Sequence, residues 1–211
     1  MPKITAEKRQ ARCQQILDAA TRCFARDGFH CTSMSDIVRE SKLSPGAIYC
    51  YFSGKNEIIA AIADQRHSRE SALLATLPTA QNAAEGLQQL ARKFFDILRE
   101  PKEKARRKVT IQIWAESLRD KQIRKIVELG LRQRDPLTAW LRGAQRKGQL
   151  AADLDTDAVS RVMLALLQGF ILQQAWEPRL DVDCYLETAS RLLNSVCANA
   201  KIEPLSTGRK H

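Results

Sequence analysis

Histidine, glycine and aromatic residues are scarce in this 211-residue chain, and its cysteines are dispersed. The three histidines, His30, His67 and His211, stand apart from any serine, cysteine or carboxylate grouping that would build a nucleophile–base pair. The nine glycines form no phosphate-cradling loop. The six cysteines, Cys13, Cys23, Cys31, Cys50, Cys184 and Cys197, include no CxxC pair and no Cys/His ligand spacing. Neither a zinc site nor a secreted disulfide framework is expected, and most of these thiols read as small packing residues. A long apolar run is missing too: Val162 to Trp176 is broken by Gln168, Gly169, Gln173 and Gln174 and reads as too short for a membrane span. The opening MPKITAEKRQ is polar, so no signal peptide is expected. These absences point away from an enzyme, a cofactor-bound protein and a membrane protein, and toward the cytoplasm.

A formal net charge of +10 suits a polyanionic partner without proving one. Basic residues gather at Lys3, Lys8, Arg9 and Arg12, where a loosely ordered arm ahead of the first helix could touch phosphates. A second run, Lys102, Lys104, Arg106, Arg107 and Lys108, reads as a solvated face.

The segment Thr32 to Lys55, TSMSDIVRESKLSPGAIYCYFSGK, carries two short helix signatures around a tight connection. Ser33 is a cap whose hydroxyl can accept a free N–H of the first turn, and Asp36 three residues on completes a capping-box arrangement. Met34, Ile37 and Val38 share one face of that helix, while Ser35, Arg39 and Glu40 point away. Ser41-Lys42-Leu43 forms the turn. Ser44 then caps a second helix running from Pro45 to about Phe52, with proline at the position whose N–H would be unpaired anyway. Ile48 and Phe52 can lock onto the first helix and leave Gly46, Ala47, Tyr49 and Tyr51 free. Small residues at Pro45, Gly46 and Ala47 permit close backbone approach to a DNA groove, and the tyrosines can reach phosphates or a thymine methyl. Lys42 and Lys55 flank the helix as phosphate contacts. Upstream, Ala11 to Arg26 is amphipathic through Ile16, Leu17, Ala20 and Phe24 and is closed by Asp27-Gly28-Phe29. Downstream, Ile58, Ile59 and Ile62 open a longer helix.

The order FARDGF, TSMSDIV, LSPGAIYCYFSGKNEII resembles the N-terminal domain of TetR/AcrR-type transcriptional repressors over roughly the first sixty residues. The resemblance implies phosphate contact at Ser33, with Ser35 on the neighbouring face. It also implies recognition-helix contacts at Pro45, Gly46, Ala47, Tyr49 and Tyr51, and Lys55 at the start of the next helix. Cys50 departs from the pattern, which commonly has histidine or another aromatic there. Cys31 and Cys50 sit beside these elements, so a thiol-based redox role stays open.

The remainder reads as all helix, with breaks at Leu77-Pro78-Thr79, Glu100-Pro101, Leu118 to Lys121, Gly148 to Asp155 and Glu177 to Asp181. Pro136 should kink or split the segment from Lys121 to Lys147. Asp157 to Trp176 is apolar on nearly every side and needs cover on more than one face; Val182 to Ala200 carries Tyr185, Leu186, Ala189, Leu192, Leu193, Val196 and Cys197. Pairing both with a second copy would make a four-helix dimer seam, as the resemblance also implies. The segment from IQIWAESLRD to KQIRKIV is similar to regulators of choline-type metabolism and multidrug efflux.

The expected fold is therefore all-α: a helix-turn-helix DNA-binding domain over residues 1–54, a helical effector-binding and dimerisation domain over 55–200, and a flexible tail over 201–211. The resemblance implies an effector cavity, for which Phe94, Phe95, Ile113, Trp114, Trp140, Phe170 and Trp176, with the polar Gln112, Glu116 and Gln173, are candidates. Each of these could equally be a core residue. The expected activity is ligand-released repression by a homodimer on palindromic double-stranded DNA, with a hydrophobic or aromatic effector. A cysteine-based redox regulator and a non-specific basic nucleic-acid binder are the alternatives.

Overall fold

The computed structural model describes residues 5–76, 82–132 and 134–198, with side chains to residue 195. Lys3, the break at Leu77 to Thr79, the side chains of Val196 and Cys197, and the tail over 201–211 lie outside the described residues. Among those described there are ten helices and no strand.

Helix α1 (Ala6–Cys31) starts at the Thr5 cap, whose hydroxyl accepts the Lys8 N–H. Lys8, Arg9 and Arg12 are thus exposed on a helix rather than carried on a loose arm. Gly28 interrupts α1 with φ 82° and ψ 166°, a left-handed backbone that glycine adopts without a Cβ penalty. Helix α2 (Met34–Ser41) begins at the expected reciprocal box: Ser33 Oγ accepts the Asp36 N–H at 3.2 Å, and Asp36 Oδ2 accepts the Ser33 N–H at 2.9 Å. Lys42 closes α2 in the left-handed conformation. Helix α3 (Pro45–Tyr49) is one turn long, shorter than the sequence suggests. The Tyr51 N–H turns back to Ile48 O at 2.9 Å, tightening the chain so that Cys50 and Tyr51 follow in a turn and Phe52 lies beyond it. Helix α4 (Lys55–Ala75) leads out of this head.

The body consists of α5 (Ala83–Arg99), α6 (Pro101–Ser117), α7 (Lys121–Arg132), α8 (Asp135–Arg146), α9 (Thr156–Trp176) and α10 (Val182–Ala198). Pro136 splits α7 from α8 by standing in the first turn of α8. Helix α6 starts on Pro101, directly at the expected Glu100-Pro101 break. The basic run there is only partly solvated. Buried Glu103 receives Arg106 at 2.6 Å and Arg69 at 3.1 Å, and Arg107 donates to the Leu98 carbonyl.

Ile16, Phe24, Ile37, Ile48 and Ile58 form one fully buried core, and Val109, Ile113 and Ile123 from the body continue it. Two further cores fill the body, one around Leu87, Leu137 and Leu141 and one around Phe95 and Phe170. Helix α9 differs from the others. It is 21 residues long and its most apolar 18-residue window has mean hydropathy 1.2, enough by length and composition to cross a membrane, which corrects the expectation of a stretch too short to do so. The signal is weak, and only 17% of its most apolar window is buried in the single chain.

Candidate nucleic-acid interface and effector cavity

The head presents a short rod anchored from beneath. Ser44 Oγ accepts the Ala47 N–H at 3.3 Å, Pro45 occupies the first turn, and Ile48 is fully buried against α1 and α2. The opposite face of the rod is open: Ser44, Pro45 and Gly46 are exposed, Ala47 is half-buried, and Tyr49 is 54% exposed. A Cβ added at Gly46 would meet nothing, so the backbone there is bare enough for close approach by a ligand. Tyr51 is half-buried against the head core, leaving less of its ring to an outside partner. Ser33 and Ser35 are exposed beside the rod, as is Lys42. Asp36 is held below the ordinary carboxylate range, first by the Ser33 hydroxyl and backbone N–H and then by Arg39. The negative charge at this helix start is therefore locked, and exposed Arg39, which the sequence reading placed on the outer face of the helix but not among the contacts, pairs with it at the same surface.

Lys55 is placed differently. Its Nζ donates to the carbonyls of Phe29 and of Thr32, the latter at 3.1 Å, so the ammonium ties the start of α4 to the end of α1. It secures the head from within.

The second feature is a cavity of about 140 Å³ lined by α4, α5, α7, α8, α9 and α10 and partly open to solvent. Phe94 and Phe95 line it as expected, with Leu73, Leu90, Leu137 and Leu167. Phe170 stands behind this wall, fully buried, its ring 4.9 Å from Phe95 and 4.8 Å from Tyr185. Ile113 and Trp114 line a smaller neighbouring cleft with His67, and the Arg66 guanidinium stacks 5.1 Å above Trp114.

Five candidates lie away from the cavity. Gln112 faces the head, where its amide bonds the α1 backbone on both sides of Gly28: Oε1 accepts the Phe29 N–H at 3.0 Å and Nε2 donates to Phe24 O at 2.9 Å. Glu116 meets His30 at 3.2 Å on the same seam. Trp140 packs half-buried against the Leu87 core. Gln173 is exposed, and Trp176 is 72% exposed at the end of α9. Helix α6 has apolar residues on more than one side, so its pattern could not reveal which polar residue would turn toward α1. The cavity also takes in Glu70 from α4 and Arg134 from the junction before α8, which the aromatic-based reading missed because both are charged.

Residues 16–62 match the family described as bacterial regulatory proteins, tetR family, and residues 83–198 match the BetI-type transcriptional repressor C-terminal family. The chain belongs to the TetR family of transcriptional regulators. It is 28% identical to the HTH-type transcriptional regulator UidR of Escherichia coli strain K12 over 74% of this chain and 78% of that one. Among solved structures, Salmonella enterica GusR superposes with TM-score 0.76 at 27% identity, covering 93% of this chain and all of that one. The SmeT–triclosan complex does so with TM-score 0.76 at 25% identity, covering 92% and 96%. As a TetR-family regulator, the chain is a helix-turn-helix DNA-binding protein with a helical ligand-binding domain.

Two of this regulator's thiols are set against reactivity. Burial raises Cys13 and Cys23 above the ordinary thiol range, overcoming the nearby Arg9 and Arg26 guanidinium groups respectively. Cys31 and Cys50 are exposed and carry no disulfide.

Proposed function

We propose that the protein is a cytoplasmic repressor that binds a palindromic operator as a homodimer and is released by a small, mainly apolar or aromatic effector. One observation carries this reading: α4 belongs to both functional features. Lys55 at its start is bonded into the head, and Glu70, Leu73 and Leu74 near its end line the cavity. A ligand that favours a different seating of those residues must move the helix that positions the reading head.

Direct contacts are assigned to Ser33, Ser35, Lys42, Ser44, Pro45, Gly46, Ala47, Tyr49 and Tyr51, with Lys55 acting as a brace. The exposed apolar face of α9 and α10, including Val162 at 57% and Leu192 at 54% exposure, is assigned to the second protomer rather than to lipid. Asp157, Arg161, Gln168 and Gln173 interrupt α9, and burying such groups in hydrocarbon is costly. Two reading helices about 34–36 Å apart address successive major grooves, supplying the specificity that one short rod lacks. A coupling of about 1–3 kcal/mol between the sites gives roughly 5- to 150-fold release.

Footprinting of the full-length protein on its own upstream DNA, at a stated salt concentration, tests this. A protected palindrome is expected, with Tyr49→Ala weakening it. Sequence-indifferent protection would favour the non-specific binder instead.

A further inference from the structure

Four polar residues interrupt the otherwise apolar cavity wall: Glu70, Arg134, Ser160 and Tyr185. Three have their bonding met by protein. Glu70 takes Arg66 Nε at 2.7 Å, and Tyr185 Oη donates to Leu166 O at 2.7 Å. Ser160 accepts from Thr138 at 2.9 Å and donates to Asp157 O at 2.8 Å.

Arg134 is different. Its Nη1 donates to Leu131 O at 3.2 Å, and its Nη2 stands 3.6 Å from Asp157 Oδ1, beyond good hydrogen-bond length. Its Nε is buried without a partner, and the side chain as a whole is only 16% exposed. Asp157 cannot supply the difference, because its other oxygen receives Arg161 Nε at 2.8 Å and Arg142 also draws on its charge. One half-exposed carboxylate is thus shared among three guanidinium groups. The Glu70 charge, by contrast, is matched by Arg66. The least compensated charge at this cavity is positive and sits at Arg134.

A guanidinium removed from water gains most from a planar anion that accepts two parallel N–H bonds. A neutral alcohol offers an acceptor without charge, and a cation adds repulsion. We propose that the effector is a small amphiphile with one anionic end taken by Arg134 and an apolar tail lying among Phe94, Leu137 and Leu167. This rests on the reading of the cavity as the effector site and adds the charge of its ligand.

Matched eight-carbon probes separate the two ideas: octanoate, 1-octanol and octylammonium, titrated calorimetrically into the full-length protein at pH 7 and followed by operator release in fluorescence anisotropy. Octanoate is expected to bind at least tenfold more tightly than 1-octanol, with octylammonium weakest. Arg134→Met should reduce octanoate to the affinity of 1-octanol, leaving 1-octanol unchanged, and Arg134→Lys should retain part of the preference. The wild-type ranking decides the matter even if a variant fails to fold. Equal binding of octanoate and 1-octanol, a preference for octylammonium, or an anion preference that survives in a folded Arg134→Met protein overturns the proposal. Release of operator by 1-octanol without anion preference overturns the charge assignment alone. Failure of all three to bind overturns the cavity reading with it.

Discussion

Gln112 accepts the Phe29 backbone N–H through its Oε1 at 3.0 Å, so a helix of the body closes the break that Gly28 makes in α1. Its Nε2 simultaneously donates to Phe24 O. Gln112→Ala removes a donor and an acceptor and leaves two α1 backbone groups partly unpaired in a half-buried joint. The expected loss is about 1–3 kcal/mol, measured by denaturant unfolding. Effector-driven release of operator should weaken in parallel, read as the ratio of operator affinities with and without ligand. Unchanged stability would mean that water replaces the amide at no cost.

Lys42 and Lys55 look equivalent in sequence and should behave oppositely. Lys42 is exposed at the left-handed turn between α2 and α3, so Lys42→Ala is expected to weaken binding to all DNA sequences alike. The slope of log affinity against log salt should drop by about 1.8 for the dimer, about 0.9 for the Lys42 of each protomer, with melting unchanged. Lys55 bonds two carbonyls within the head. Lys55→Met should lower head stability by about 1.5–3 kcal/mol per charged bond lost, before any change in salt slope. A Lys55→Met protein that melts normally but loses about 1.8 of slope as a dimer would restore Lys55 to the phosphate contacts.

The apolar exterior of α9 and α10 yields a prediction about assembly. Val162→Arg with Leu192→Glu places charges where the second protomer is assigned, on side chains more than half exposed in the single chain. The double variant should sediment as a folded monomer with normal helical circular dichroism and should lose palindrome binding by well over tenfold, because each half-site is then bound alone. A variant that stays dimeric would move the interface elsewhere.

Local code made the head legible. The Ser33–Asp36 box and the Ser44 cap with Pro45 each act over no more than three residues, and Gly28 is the residue its backbone angle asks for. The split at Pro136 followed from the same short-range chemistry. What sequence could not resolve was which face of a body helix meets which neighbour. Gln112 and Ile113 are adjacent in the chain, yet one braces α1 from its half-buried side and the other is buried in the core. Trp176 looked like a cavity wall because it is large and apolar, but the cavity is closed by leucines and by Phe94 and Phe95, leaving the tryptophan outside. Arg134 escaped notice because a charge outside any motif reads as solvated until its burial is known.

His67 and Gly130 set a limit on both substitution and acidity. Atoms of the His67 ring lie 2.1–2.7 Å from where a Cβ on residue 130 would stand, and the imidazole is only 8% exposed. Gly130→Ala must therefore displace a packed ring, at an expected cost of about 1–3 kcal/mol. Burial also pushes the imidazole below its ordinary value of 6.5, helped by Arg66 and opposed by Glu70 and Asp64. Below that ordinary value the unfolded chain binds a proton that the folded chain resists, so stability attributable to His67 is present above it and lost as pH falls through it. The lowered carboxylates Asp36, Glu40, Glu57, Glu100 and Asp157 act in the same direction only in more acidic solution. Melting temperature is thus expected to fall between pH 7 and pH 5, and His67→Gln should flatten that part of the curve, being neutral throughout. A slope that persists in His67→Gln would assign the proton to another group.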